Sequence, residues 1–164
     1  MAGGFDRMAM VVSVLAILAS SWTPTQADPQ DVASRQILSG QWKLATDPEN
    51  RGRADRWFEG VRPEAQEASV PGIIQQVFPS YHGVAWYWHN FSVTPGGAAG
   101  DRMLIRFDAV DYVADVWLNG KHIGTHEGGE TPFEFDVTDS IRPQGENLLA
   151  VRVLNPTAEP IDGY

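Results

Sequence analysis

Residues 115–129 read DVWLNGKHIGTHEGG, and their pattern decides the fold class. Asn119-Gly120 lies between two extended runs, VWL before it and KHI after it. Asn-Gly is the preferred pair for a type I′ turn because both central residues need positive φ. The stretch therefore predicts a tight β-hairpin.

The two histidines of this stretch, His122 and His126, are four residues apart. On a helix that spacing suits a metal ion, but the glycines of the stretch argue against a helix. On a strand the two residues stand about 13 Å apart, whereas zinc ligands lie about 2.0–2.1 Å from their ion. We therefore predict no metal site and no cofactor. His122 is expected in a solvated turn, and His126 with Glu127 is expected to shape the loop at Gly128-Gly129.

Outward from the hairpin, apolar and polar residues alternate with period two in several short runs separated by turn residues. On one side of these runs stand Tyr87, Phe91, Val93, Met103, Ile105, Phe107, Ala114, Val116, Leu118, Phe133, Phe135, Val137, Leu149, Val151 and Val153. On the other stand Trp86, Trp88, Arg106, Asp115, Trp117, Glu134, Asp136 and Arg152. Strands that each bury one face need a second sheet to close the core, so the chain is expected to be an all-β sandwich.

The first 27 residues resemble an export signal. Arg7 precedes an apolar run, Met8–Ala19, and Thr25-Gln26-Ala27 offers small residues for cleavage before Asp28. The run is too short to span a bilayer, which needs about 20 residues. A buried N-terminal helix is the alternative. We expect residues 1–27 to lie outside the fold, residues 28–39 to be an N-terminal extension, and the protein to be secreted or periplasmic, with no membrane contact after signal removal.

Charge and cysteine content restrict the partners. The formal net charge is −9, and it stays so without residues 1–27, which hold one acidic and one basic residue. Such a surface repels polyanions, so nucleic acid and anionic lipid are not expected as partners. The chain has no cysteine. Its stability must therefore come from its core, and thiolate metal sites are excluded.

Catalytic patterns are also missing from the sequence. Carboxylates that cleave a glycosidic bond face each other across a cleft about 5 to 9.5 Å apart. Asp108, Asp111 and Asp115 bracket a turn, and Glu134 and Asp136 project outward, so we expect them to solubilise the surface. No G-x-S-x-G elbow and no phosphate-binding glycine loop is present. We predict no catalytic residue.

In order along the chain, several motifs resemble the N-terminal sugar-binding domain of glycoside hydrolase family 2, which includes β-galactosidases, β-glucuronidases and β-mannosidases. The motifs are Trp42, Asp47-Pro48, Gly52, Trp57, Trp86-Tyr87, RFDAVDY at 106–112, VWLNGK at 116–121, HEGG at 126–129, TPFEFDVT at 131–138 and GENLLAV at 145–151. HEGG followed by Pro132-Phe133-Glu134 is most similar to the β-glucuronidase and related branches.

The resemblance implies a galactose-binding-domain-like jelly-roll β-sandwich over residues 40–156. It also implies that both catalytic glutamates lie on a (β/α)8 barrel that follows an immunoglobulin-like domain, and such a barrel needs roughly 250 residues. The 137 residues after the predicted signal leave no room for it. Residues 157–164 are then the start of a truncated linker to the missing immunoglobulin-like and barrel domains, which are expected partners.

The segment 75–82, QQVFPSYH, is the candidate sugar contact. Gln75, Phe78, Tyr81 and His82 combine flat rings for C–H faces with polar tips for hydroxyls. Alternatively, Phe78 and Tyr81 only cover the end of the sandwich. The resemblance adds Asp162 and Tyr164, because in related enzymes the segment after the last strand reaches the active site.

Three functions remain open. The first is the sugar-binding domain of an exported family 2 glycoside hydrolase, present as a truncated or split gene product and inactive alone. The second is a stand-alone secreted carbohydrate-binding module. The third is a structural docking domain for a separately encoded barrel.

Overall fold

The computed structural model describes residues 11–17, 34–93 and 101–156, the first of these ranges by its backbone. Within these residues the chain forms strands and two short 3-10 helices, at Trp57–Glu59 and Ile74–Gln76. The strands are β1 (Val11–Ile17), β2 (Arg35–Ile37), β3 (Gly40–Thr46), β4 (Gln66–Val70), β5 (Gly83–Ser92), β6 (Arg102–Ala109), β7 (Val113–Leu118), β8 (Lys121–Glu127), β9 (Phe133–Asp136) and β10 (Glu146–Asn155). No helix in the described ranges is long and apolar enough to cross a membrane.

The strands form two antiparallel sheets. The smaller sheet has the order β2-β1-β6-β9, and the larger has the order β4-β3-β5-β10-β7-β8. The predicted all-β, jelly-roll sandwich is therefore confirmed.

The central hairpin is formed as predicted. β7 pairs with β8 around Asn119 and Gly120, which have φ values of 54° and 83°. The Asn119 side chain also ties the turn to the rest of the sandwich, because its Nδ2 donates to the Ser140 carbonyl at 2.8 Å and its Oδ1 accepts from the Leu148 amide at 3.1 Å.

The main core lies between the sheets and contains the predicted inward residues. Its fully buried members include Leu44, Ala85, Ile105, Phe107, Val116, Leu118, Leu149 and Val151. Leu38 is also buried, so the packed core begins before the predicted domain start at Gly40.

The other face of the larger sheet differs from the expectation of half-buried strands. Trp86, Trp88 and Trp117 were placed on the outer side, and all three are buried. The reason is that residues 47–65 fold back over this face, where Trp57 and Phe58 pack on the three rings. Ring centroids are 5.3 Å apart for Phe58 and Trp117 and 6.2 Å apart for Trp57 and Trp86. The larger sheet therefore has a second apolar cluster on its outer face.

The N-terminal stretch takes a place that the sequence did not predict. Val11–Ile17, within the stretch expected to lie outside the fold, forms β1 between β2 and β6. Four of its seven residues are valine or isoleucine, which favour strands. Export and cleavage of residues 1–27 stay predictions.

Candidate functional site

The two ends of the sandwich are defined by the register of the larger sheet. At one end, which we name the Val113 end, Val113 pairs with Leu154 and Glu127, and Gly83 pairs with Asn155. The segments 110–112 and 128–132 and the end of segment 71–82 lie there. Segment 47–65 begins at this end, where the Asp47 amide donates to the Val84 carbonyl at 2.8 Å, and then crosses the outer face of the larger sheet. The opposite end, the Asn119 end, carries the Asn119-Gly120 turn.

The predicted sugar-contact segment reaches the Val113 end just before β5. Phe78 and Tyr81 are half-buried and pack against the main core, whereas His82 is exposed. The segment is folded on itself, because the Phe78 amide donates to the Ile74 carbonyl at 2.9 Å and the Tyr81 amide to the Phe78 carbonyl at 3.1 Å. Gln75, Phe78 and Tyr81 are therefore brought together.

Two polar side chains of this segment, those of Gln75 and Tyr81, donate hydrogen bonds to backbone carbonyls. Gln75 Nε2 donates to the Tyr81 carbonyl at 2.8 Å, and the Tyr81 hydroxyl donates to the Val84 carbonyl at 2.6 Å. Burial raises the pKa of the Tyr81 hydroxyl. These contacts agree with the alternative in which Phe78 and Tyr81 cover the sandwich end. Sugar contact by the segment stays a prediction, and Asp162 and Tyr164 lie outside the described residues.

A second set of polar contacts at the Val113 end joins the turn before β7 to the end of β8. The Tyr112 hydroxyl donates to Glu127 Oε1 at 2.9 Å, and the Gly128 amide donates to the Tyr112 carbonyl at 2.8 Å. A Cβ at Gly129 would lie 2.8 Å from Asp111 Oδ1, which explains why glycine stands there. Glu127 thus helps to fix this loop, as the sequence predicted.

His126 supports the same loop from its other side. Its ring stacks on Phe133 with a centroid distance of 4.1 Å, and Nε2 lies 3.2 Å from Thr131 Oγ1. His122 lies apart from it, with its ring 5.0 Å from that of Trp117. In the ranges that the structure describes, no group of three or more His, Cys, Asp or Glu could hold a metal ion.

Asp115 corrects the expectation of a surface carboxylate. It is buried on the outer face of the larger sheet, where it accepts hydrogen bonds from Arg53 and, at 2.6 Å, from Thr125 Oγ1. The buried Arg152 places Nη1 at 3.2 Å from Asp115 Oδ2. Arg152 Nη2 also donates to Asn50 Oδ1 at 2.7 Å, so the network fastens segment 47–65 to the sheet.

A second buried carboxylate fastens the same segment. Asp47 accepts hydrogen bonds from the amides of Arg51 and Gly52 and, at 3.0 Å, from Trp86 Nε1. An Asp-Pro turn followed by glycine and a distant tryptophan is the sequence signal that could have identified this contact. The Asp47 and Asp115 contacts are both structural.

Neither Asp115 nor Asp136 has the raised pKa that a general acid needs. Burial raises the pKa of Asp115, but hydrogen bonds from Arg53 and Thr125 and the charges of Arg53 and Arg152 outweigh it, and the net pKa is lowered. Hydrogen bonds from Thr138 and then Arg102 lower the pKa of Asp136 to about 2. Both groups stay ionised at neutral pH and serve as ion-pair partners.

Comparison with known proteins shows the same architecture in larger enzymes. A β-glucuronidase of Paenibacillus borealis is 36% identical over 134 residues, which are 77% of this chain and 22% of that protein. A β-galactosidase of Yersinia enterocolitica is 30% identical over 156 residues, 82% of this chain and 15% of that protein. The solved β-glucuronidase of Lactobacillus rhamnosus has a TM-score of 0.66 at 34% identity, over 73% of this chain and 21% of that one.

The chain thus spans about a fifth of the length of these relatives. The sugar-binding domain of glycosyl hydrolases family 2 matches residues 73–161, which is more than half of the chain. This range contains strands β5 to β10, the Gln75–His82 segment and the segments 110–112 and 128–132 of the Val113 end. The chain therefore belongs to glycosyl hydrolase family 2, through that family's sugar-binding domain.

Proposed function

We propose that this chain is the carbohydrate-recognising domain of an exported family 2 glycoside hydrolase and that it hydrolyses no glycoside by itself. The observation that carries the proposal is the family match over residues 73–161 on an all-β sandwich. The relatives named β-glucuronidase support a uronic acid glycoside as the ligand, and those named β-galactosidase support a galactoside.

The recognition surface of this proposal lies at the Val113 end. His82 is exposed there and can both donate and accept a hydrogen bond to a sugar hydroxyl. Glu127 is exposed and is held in place by Tyr112. These groups stand on loops and strand ends that the sandwich holds rigid, which is how binding residues are commonly positioned.

Titration calorimetry of the purified chain tests the proposal. We expect saturable binding of methyl β-glucuronide or methyl β-galactoside, and we expect His82→Ala to weaken it about tenfold or more, equivalent to the loss of one hydrogen bond of about 1.4 kcal/mol. His122→Ala is the matched control, because His122 is also exposed but lies near the Asn119 end. Absence of binding for every saccharide tested, or equal weakening by both variants, would contradict the recognition role.

One observation favours a second candidate function, that of a docking domain. Gln75 Nε2 and the Tyr81 hydroxyl, which were expected to hold sugar hydroxyls, both donate to backbone carbonyls. If the chain only docks onto a barrel encoded elsewhere, it binds that partner and no saccharide. The same titration distinguishes the two functions.

A further inference from the structure

The turn that closes the hairpin of β7 and β8 is a chemically labile pair, because glycine has no side chain to shield its backbone nitrogen from a preceding asparagine. Asn119-Gly120 is the only Asn-Gly pair of the chain. In deamidation the Gly120 nitrogen bonds to Cγ of Asn119, the Cγ–Nδ2 bond breaks, and the side-chain amide leaves as ammonia. Water then opens the cyclic imide at either of its carbonyls, which leaves aspartate or isoaspartate at position 119.

The native fold holds the Asn119 side chain in place through contacts with distant residues. Its Nδ2 donates to the Ser140 carbonyl at 2.8 Å and to Asn147 Oδ1 at 2.9 Å, and its Oδ1 accepts from the Leu148 amide at 3.1 Å. The Asn119 backbone amide also donates to the Leu148 carbonyl at 2.9 Å. Loss of Nδ2 as ammonia requires that its two hydrogen bonds break, so the reaction needs the turn to separate from these partners.

The groups that face Nδ2 can only accept hydrogen bonds. Ser140 offers a backbone carbonyl. Asn147 is fully buried and cannot turn its amide around, because its Nδ2 donates to the Arg142 carbonyl at 2.9 Å and its Oδ1 accepts from the Arg142 amide at 2.8 Å. A carboxylate at position 119 would therefore point an oxygen without a proton at two acceptors, which leaves all of these groups without their bonds.

An isoaspartate would disturb the same place in another way. It carries the main chain through Cγ and so lengthens a turn that needs two central residues of defined geometry. Leu118 pairs across this turn with Lys121 and on its other side with Leu149, and it is fully buried. A longer turn would displace Leu118 from the core, so neither product fits the native hairpin.

We propose that Asn119 is a deamidation site that the native fold protects, and that its modification marks chains whose hairpin has opened. Opening releases Nδ2 and allows attack by the Gly120 nitrogen. The aspartate or isoaspartate that forms prevents the Asn119 contacts from closing again, so unfolding becomes irreversible with time. The site lies at the Asn119 end, apart from the surface proposed for carbohydrate.

The rate of deamidation in the folded and the unfolded chain tests the proposal. The full chain is incubated in one mildly alkaline buffer with and without urea and is then digested with trypsin. Peptide 107–121 contains Asn119 as its single side-chain amide, so its mass reports this site alone. We expect the folded chain to react at least about tenfold more slowly, because reaction requires local opening. A synthetic peptide of residues 107–121 is the control and should react equally in both buffers. Equal rates for the folded and unfolded chain would overturn the proposal.

Asn119→Asp reproduces one product and tests its effect on the fold. We expect its melting temperature to be lower than that of the wild type by about 2 °C or more. Gln144→Glu is the matched control, because it makes the same change from amide to carboxylate on an exposed side chain at the same end, and it should melt close to the wild type. Equal melting temperatures for the two variants would equally overturn the proposal. Failure of Asn119→Asp alone to fold would support it, and the rate comparison on the wild-type chain does not depend on that variant.

Discussion

Asp115 shows how a single buried charge connects two parts of this domain. Its carboxylate faces the buried Arg152 from the sheet and Arg53 from segment 47–65. A charge removed from water is tolerated only when it is paired and hydrogen-bonded. The alternation of the sequence placed Asp115 on the outer face correctly. It could not show that this face is covered, because the cover comes from residues about 60 positions earlier.

Asp115→Asn is therefore expected to lower the free energy of unfolding by about 3–5 kcal/mol, since it removes the negative charge that faces a buried guanidinium. Urea denaturation followed by tryptophan fluorescence measures this loss. Glu67→Gln is the control, because Glu67 forms an exposed ion pair with Lys43 and should cost less than about 1 kcal/mol. A similar small loss for both variants would contradict the structural role of Asp115.

His89 provides a pH-dependent prediction. Its ring stacks on that of Trp42 at 4.7 Å, and burial lowers its pKa below the usual value of 6.5, although a hydrogen bond that the ring donates to the Gln41 backbone partly opposes this. The unfolded chain therefore binds the proton more tightly than the folded one. The contribution of His89 to the free energy of unfolding should be highest above pH 6.5. It should fall as the pH is lowered below 6.5 and should stop falling below the folded-state pKa.

Melting temperatures of wild type and His89→Phe between pH 5 and 8 check this. The phenylalanine keeps an aromatic ring against Trp42 but does not titrate, so its stability should depend less on pH in this range. His82→Gln, which changes an exposed histidine, should keep the wild-type dependence. If the melting temperatures of wild type and His89→Phe change with pH in parallel, His89 is not the source of the pH dependence.

At the element scale, segment 47–65 determines the burial of the larger sheet's outer face. The hairpin at Asn119-Gly120 was predictable because turn geometry depends on two adjacent residues. The burial of Trp86, Trp88 and Trp117 was not, because periodicity shows which residues share a face and not whether a distant segment covers it. The same limit applies to Gln75 and Tyr81, whose types suit sugar hydroxyls but whose hydrogen bonds follow the local backbone path.

Gly52→Ala tests this cover. A Cβ at Gly52 would stand 2.3 Å from Trp86 Nε1 and 2.7 Å from Asp47 Oδ2, so the segment would have to move away from the sheet. Overpacking of this kind costs about 1–3 kcal/mol. Gly60→Ala is the control in the same segment, since it has open space around the new Cβ and extended backbone at φ −170°. Equal melting temperatures for Gly52→Ala and Gly60→Ala would contradict the close packing of the segment.

At the scale of the whole molecule, the described residues form a sandwich in which several charged groups form ion pairs, as Lys43 does with Glu67 and Arg102 with Asp136. The family and its jelly-roll architecture were predictable, because ordered motifs and strand alternation are distributed along the chain. The place of Val11–Ile17 was not, since an apolar run with β-branched residues fits an export signal and a strand equally well. The other differences, which are the cover by segment 47–65 and the hydrogen bonds of Gln75 and Tyr81, lie in loop segments.

The central claim is the proposal that this domain binds carbohydrate and hydrolyses no glycoside by itself. Release of nitrophenol from the nitrophenyl β-glycosides of glucuronic acid, galactose and mannose by the purified chain tests this claim most directly. We predict no release above the enzyme-free blank, because the described carboxylates with shifted pKa values are held ionised in ion pairs. Sustained turnover that copurifies with the chain and is lost on its denaturation would contradict the claim.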